Sequence, residues 1–411
     1  MNRQSARVAI FTHDTFGLGH VRRCLHITRA LAERDPRCSV LIVTGSPAMP
    51  MFADLPANAD VVKVPVIAKT GAKHLRPSHL KLPLPELAAL RQRLIREAVL
   101  GFAPDVFVVD NFPLGAQGEL VPILQELRGL PTRTVLGLRD IVDAPAAVRA
   151  DWERQGVYDV LDRYYDRILV YGMRGVLDAA EAYALSARVA GKVHYCGYVT
   201  DGDAVAVPEV ARPGIDLEQP FLLATGGGGG DAFPLLDVFL DTLPLLPKLP
   251  SLVVTGPLMN ATQRAALQGK ANVLGRVTIL PWVPTLRPYI GAAAAVVAMC
   301  GYNTAAEIVA LRAPAVLVPR TWRYGEHLKG KAAGEEAEQR LRAEALEALG
   351  LASVVMPEEL TPQRLAERIR EQLHRGAASD SGALDVDGLP VAIDHILSLA
   401  GGDSGGHDVA A

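Results

Sequence analysis

The sequence predicts an α/β protein built from two doubly wound halves, each a parallel sheet with helices on both faces. Three observations carry that reading. Short runs of Val, Ile and Leu alternate with longer helical patterns. The alternation stops between residues 200 and 220 and then restarts. The first strand of each half runs into a glycine-rich turn. A strand covered on both faces is apolar throughout, whereas a half-exposed strand alternates, and a βαβα order implies parallel pairing.

In the first half the strand candidates are Arg7–Thr12, Val40–Thr44, Val61–Val64, Val106–Asp110, Arg133–Gly137, Ile168–Tyr171 and Val193–Tyr195. Helical patterns lie between them at Val21–Arg34, Glu86–Leu100 and Gly118–Leu127. The stretch from Thr200 to Pro220 carries Asp-Gly-Asp and several prolines without an apolar period, and reads as a linker. The second half offers strands at Phe221–Thr225, Leu252–Thr255, Val277–Pro281, Ala295–Ala298, Ala315–Val318 and Ser353–Val355. Its helices fit at Phe233–Leu245, Thr304–Leu311, Gly334–Leu349 and Thr361–Arg375, with a last one at Pro390–Leu399. The expected organisation is an N-terminal domain over 1–200, a linker over 201–219, a C-terminal domain over 220–400 and a disordered tail over 401–411. Ligands of such sheets bind at the carboxyl ends of the strands, and two domains facing across a cleft would each supply one wall.

Composition removes several function classes. The 411 residues carry a formal net charge of −3, without the basic footprint of a general nucleic-acid binder. Four cysteines, Cys24, Cys38, Cys196 and Cys300, stand far apart with no CxxC pair, against a disulfide framework or a cysteine zinc site. The N-terminal residues lack a signal-peptide pattern and no apolar run is long enough to span a bilayer, so the expected location is cytoplasmic. Asp201-Gly202-Asp203 looks like a metal-binding triplet, but it falls in the linker away from any strand end, and no metal site is assigned.

The two glycine turns are the first candidate sites. After the first strand comes Gly17-Leu18-Gly19-His20 and then a helix. Glycines there let a ligand approach the backbone, and the helix start offers free N–H donors. Arg22 stands where a dinucleotide fingerprint needs its third glycine, and no acidic residue is placed persuasively for a ribose, which argues against a dehydrogenase. His20 is suited to act as a general base; its plainer role is a helix cap. The second half opens with Gly226 to Gly230 and Asp231, without the Gly-Lys-Ser/Thr ending of an ATPase loop. Such a loop either cradles a diphosphate with its N–H groups or is simply a turn.

The segment Trp282-Val283-Pro284-Thr285 … Cys300-Gly301-Tyr302-Asn303-Thr304 … Glu307 … Ala313-Pro314 narrows the choice. Physically, Thr304 reads as the N-cap of a helix, with Glu307 in capping-box spacing. The segment also resembles the nucleotide-sugar signature of the GT-B glycosyltransferases. It is similar both to the small-molecule UDP-glycosyltransferases and to the C-terminal domain of the lipid II-forming N-acetylglucosaminyltransferases. That resemblance implies a GT-B architecture of two Rossmann-like domains. It implies that Trp282 flanks the base, that Gly301, Asn303 and Thr304 hold the diphosphate, and that Glu307 binds the ribose. Gly226, Gly227 and Gly228 would face the phosphates from the other side, and Glu338-Gln339 would match the donor-sugar motif. On the acceptor side, Gly17 and Gly19 would border the site with His20 as base. Asp110, read from its place at the carboxyl end of its strand, either orients the base or the acceptor or is a plain turn residue, and Arg139 has a similar strand-end placement.

The sequence departs from the pattern in three places. Met299 replaces a phosphate-binding histidine, Thr285 replaces a glutamine, and Thr321–Gly330 is inserted before the sugar motif. The implied reaction is metal-independent transfer from a UDP-sugar or other nucleotide-sugar to a small-molecule or lipid-linked hydroxyl, with inversion. Neither a cofactor nor a nucleic-acid partner is implied. The turn Gly17-Leu18-Gly19-His20-Val21-Arg22-Arg23-Cys24-Leu25 resembles that of nucleotide-sugar hydrolases of nonulosonic acid synthesis as well, so water is an alternative acceptor. A non-catalytic nucleotide-sugar-binding protein is the second alternative. The stretch from Lys63 to Arg96, with an excess of basic residues and His74 and His79, either lines an acceptor site, contacts the inner face of a membrane peripherally, or is a solvated loop.

Overall fold

The computed structural model of the chain describes residues 5–12, 19–46, 55–69, 75–200, 214–320, 337–375 and 387–401. The chain divides into two compact units, Met1–Val199 with Asp387–Ala411, and Thr200–Val386.

The first unit contains β1 (Arg7–Thr12), β2 (Ser39–Thr44), β3 (Ala59–Lys63), β4 (Ile67–Lys69), β5 (Leu75–Pro77), β6 (Val106–Asp110), β7 (Arg133–Arg139), β8 (Arg167–Tyr171) and β9 (Val193–Tyr195). All but β4 and β5 form one parallel sheet in the order β3-β2-β1-β6-β7-β8-β9. The central strands are buried along almost their whole length, which is why they are written as unbroken apolar runs. The edge strands β3 and β9 are only partly covered. Phe11, Phe107, Val109, Leu136 and Trp152 form the centre of this unit's core.

The second unit contains β10 (Leu222–Thr225), β11 (Ser251–Val254), β12 (Val277–Leu280), β13 (Ala295–Met299), β14 (Ala315–Val318) and β15 (Ser353–Val354). They pair in parallel in the order β12-β11-β10-β13-β14-β15. Leu236, Phe239, Val253, Val297 and Ile369 lie in its core. Each sheet reverses its strand order once, between β1 and β6 and between β10 and β13. The connections leaving such a pair diverge to opposite faces and open a crevice at the carboxyl ends.

Two expectations are corrected. The last helix, Gly388–Ala400, was assigned to the C-terminal domain; it packs instead on the first unit, against helix Gly19–Arg34 and β6, β7 and β8. Its apolar face shows that a sheet covers it, but not which one. The helix after β13 is Tyr302–Ala310 with Gly301 at its N-cap, so Thr304 is its third residue and Glu307 lies in its second turn. Burial of Tyr302, whose ring lies 5.7 Å from the Arg342 guanidinium, anchors the first turn earlier than the capping-box pattern suggests. Asp201–Asp203, Thr321–Gly330 and the tail beyond Gly401 lie outside the described residues. Among the described residues no helix is long and apolar enough to cross a membrane.

Candidate functional site

In the first unit, β6 ends at Asp110, paired with Thr12 at the end of β1. The helix that follows β1 starts at Gly19 and puts His20 in its first turn. His20 Nδ1 lies 2.5 Å from Asp110 Oδ2. Three residues on, on the same helical face, Arg23 donates from Nε and Nη2 to Asp110 Oδ1 at 2.9 and 2.6 Å. The Arg23 and Asp110 side chains are 1 % and 2 % exposed, while His20 keeps 14 %. Arg23 Nη2 is also 3.0 Å from His20 Nδ1. Asp110 is the one anion of the three, so the guanidinium and Nδ1–H both donate to it. Burial opposes ionisation of Asp110, but Arg23 and His20 outweigh it and hold the carboxyl below its ordinary range. With Nδ1 so engaged, Nε2 is the ring's accepting nitrogen.

The surroundings fix this trio. Asn111 adopts a left-handed conformation (φ 59°), tolerable for Asn, and the next residue, Phe112, sets its ring 5.8 Å from the His20 ring. The Tyr171 ring lies 5.5 Å from the Arg23 guanidinium, and burial first, then Asp110, pushes its phenol well above the ordinary range. Gly137 must lack a side chain because a Cβ there would strike the Tyr171 ring. Arg139 closes the same strand end, its backbone N–H donating to Asn111 Oδ1 at 3.3 Å. Gly17 lies outside the described residues, and Gly19 opens the helix.

A second buried ion pair supports the loop after β6. Arg91 donates to Glu119 Oε1 at 2.9 Å and to the Pro65 carbonyl at 2.6 Å, and Glu119 Oε2 accepts the Gln117 N–H at 2.6 Å. The sequence reading assigned nothing to Arg23, Arg91 or Glu119. The spacing of Arg23 from His20 was a usable signal for the first.

In the second unit, the loop after β10 is shaped by close packing. Gly227 and Gly229 have φ of +58° and +91°. A Cβ on Gly229 would run into the backbone of Thr255 and Gly256, while among the described residues a Cβ on Gly227 would meet nothing within 4 Å. The Leu258 N–H donates to the Gly228 carbonyl at 2.9 Å. Gly226 is buried, and Gly227 and Gly228 are exposed. On the neighbouring strand, β13 leads through Gly301 into the helix carrying Asn303 and Thr304, both half-buried. Glu307 is 3 % exposed in that helix. The fold therefore brings Gly226–Gly228 and Gly301–Thr304 to adjacent strand ends at the switch point.

Trp282 follows the edge strand β12, two strands from β10, and is 39 % exposed. Glu338 and Gln339 open helix Glu338–Ala348. Glu338 Oε1 accepts from Arg342 Nη2 at 2.8 Å, and Gln339 Oε1 accepts the Arg320 N–H at 2.9 Å. Arg320 pairs with Asp231, next to the glycine loop, at 2.9 Å. No group of three or more metal-ligating side chains occurs among the described residues.

Residues 225–384 match the glycosyltransferase family 28 C-terminal domain. The chain is 26 % identical over 392 residues to the UDP-N-acetylglucosamine–N-acetylmuramyl-(pentapeptide) pyrophosphoryl-undecaprenol N-acetylglucosamine transferase of Methylobacterium nodulans, covering 93 % of each. It is 23 % identical over 365 residues to the protein of the same name from Alkaliphilus metalliredigens, covering 84 % of this chain and 85 % of that one. The crystal structure of Acinetobacter baumannii MurG superposes with a TM-score of 0.59 at 15 % identity, covering 95 % of this chain and 99 % of that one. The reversal point of each sheet, the family 28 match in the second unit and these similarities agree: the chain is a glycosyltransferase of GT-B fold, similar to the lipid II-forming N-acetylglucosaminyltransferases.

Proposed function

We propose that the protein transfers a sugar from a UDP-sugar to the hydroxyl of a lipid-linked or small-molecule acceptor, with inversion and without a metal ion. The donor stands on the second unit. Its diphosphate meets the N–H groups of the helix at Gly301–Thr304 and those of Gly226–Gly228, so backbone dipoles stabilise the departing charge. Glu307 takes the ribose, Trp282 the base, and Glu338 and Gln339 border the sugar. His20 Nε2 removes the acceptor proton while Asp110 holds Nδ1–H and stabilises the imidazolium that forms. Gly17, Gly19 and Arg139 border the acceptor.

The observation that carries the reading is the His20–Asp110 contact of 2.5 Å at a sheet's reversal point. A histidine that only capped its helix would not need a buried carboxylate held in turn by a buried arginine. The named relatives act on UDP-N-acetylglucosamine and a pyrophosphoryl-undecaprenol acceptor, which supports these substrate classes. Leu80 and Leu82 are exposed beside Lys81 and His79, and this basic, apolar edge is the part we assign to peripheral contact at the inner face of a membrane.

The test incubates the protein with UDP-, GDP- and dTDP-sugars, with EDTA, with and without lipid-linked acceptors. Acceptor-dependent UDP release is the expected result. Equally fast release in water alone would turn the assignment to a hydrolase. Binding without release under any condition would turn it to a non-catalytic binding protein.

A further inference from the structure

Arg342 is the most deeply buried charge of the second unit's carboxyl edge, with 0 % of its surface exposed. Removing a guanidinium from water is costly, and well-packed apolar residues would fill the same space at least as stably. Its contacts show what it does there. Nη1 donates to the carbonyl of Cys300 at 2.9 Å, and the guanidinium lies 5.7 Å from the centre of the Tyr302 ring. These two residues flank Gly301, the N-cap of the helix. Among the described residues, a Cβ on Gly301 would meet nothing within 4 Å. Arg342 thus holds both residues that flank this position. The counterion is Glu338, 2.8 Å away and 17 % exposed.

We propose that Arg342 is a positioning residue for the donor's diphosphate, acting through the Cys300–Tyr302 turn. It fixes the direction of the N–H groups that follow Gly301, and it sets a buried positive charge behind them, adding to the helix dipole. Glu338 tempers that charge. The proposal rests on the donor site assigned above and names a residue outside the family signature that sets its affinity for the second phosphate.

The experiment compares wild type, Arg342→Lys and Glu338→Gln for binding of UDP and UMP by calorimetry, for donor KM and kcat, and for thermal melting. Arg342→Lys keeps a charge but cannot span Cys300 and Glu338 together. It should raise the UDP Kd and the donor KM about tenfold, with UMP binding and kcat changed less than about threefold. Glu338→Gln leaves the cation untempered, so it should lower the melting temperature yet tighten UDP about two- to threefold. Opposite signs from the two variants would not follow from damage to the fold. Unchanged UDP affinity in folded Arg342→Lys overturns the proposal, as do equal losses for UDP and UMP. Should Arg342→Lys not fold, Glu338→Gln decides alone: unchanged or weaker UDP binding overturns it. A wild type that binds neither nucleotide overturns the donor site itself, and is distinct from a wild type that binds with indifferent variants.

Discussion

The two sheets reverse strand order at equivalent places, yet the chain furnishes those places with different materials. Beside β1 and β6 stand polar side chains, His20, Asp110 and Arg23, two of them charged and almost wholly buried. Beside β10 and β13 stand mainly backbone groups, the glycine loop and the first turn of helix Tyr302–Ala310. A group that moves a proton must be held at one angle, and a buried ion pair does that. A group that receives a diphosphate must offer many donors and room, and backbone N–H groups without side chains do that. On the proposed reading, one topology thus serves two chemistries, decided by whether the turn is filled or left empty.

The sharpest way to break the contrast is His20→Ala. Transfer should fall about 10²- to 10⁴-fold in kcat, with the donor KM nearly unchanged, since the proposed donor site is on the other unit. Steady-state kinetics with a UDP-sugar check this. A large rise in donor KM would show that the two places do not divide the work.

Asp110→Asn comes next. It leaves the buried Arg23 cation without its carboxylate and should lower stability by about 3 kcal/mol, read from urea unfolding. The same carboxyl gives a sign for acid: its folded value lies below the unfolded one, so its contribution is present above the unfolded value near 4 and is lost as pH falls through the folded value. The variant should lose that acid dependence.

In the second unit, Gly229→Ala and Gly227→Ala separate packing from conformation. Both positions have positive φ, but a Cβ added at Gly229 would strike Thr255 and Gly256, whereas one added at Gly227 would meet no described residue within 4 Å. Gly229→Ala should cost about 3 kcal/mol, and Gly227→Ala about 1 kcal/mol. Equal costs would mean that the loop is not held against the turn after β11.

The smallest effect concerns pH and the last helix. His395 packs its ring 4.6 Å from His194, and its Nδ1 lies 3.2 Å from Arg167 Nη1. Burial first, then His194 and Arg167, lower it to about 4, with Asp394 opposing. Burial and Arg167 lower His194 as well. Both rings hold a proton less readily in the folded chain than in the unfolded one, which takes up protons near pH 6.5. Their contribution is therefore complete above about pH 6.5 and is lost as pH falls from there toward 4. The urea midpoint should be lower at pH 5 than at pH 7.5, and His395→Gln should narrow the difference.

Local patterns made most of the fold legible. Strands such as β1, β6 and β13 are apolar because both faces are covered, and that is a property of the run itself. Gly-rich turns marked the first strand of each sheet, and the strand order itself was not read. Contacts between distant residues were not legible. Arg23 and Asp110 are 87 positions apart, and Arg342 and Cys300 are 42 apart. The three-residue spacing of Arg23 from His20 hints at a shared helical face, but nothing near Arg342 marks it as a buried cation, since surface arginines look the same in sequence. The β4–β5 hairpin escaped notice because its strands are three residues each. Tyr302 moved a helix start that the Thr304 and Glu307 pattern had placed later.

The return of helix Gly388–Ala400 has a practical consequence. The chain leaves the first unit after Val199 and re-enters it at Asp387. Those points touch: Tyr198 bridges Asp387, and the Gly388 N–H donates to the Tyr198 carbonyl at 2.8 Å. Gly388 lies so close to Gly197 that a Cβ on it would collide with that backbone. The second unit is in effect an insertion, spliced into the first at a single seam. An exchange of the whole second unit would cut the chain only at this seam, while a truncation from the C-terminus would strip a helix from the first unit.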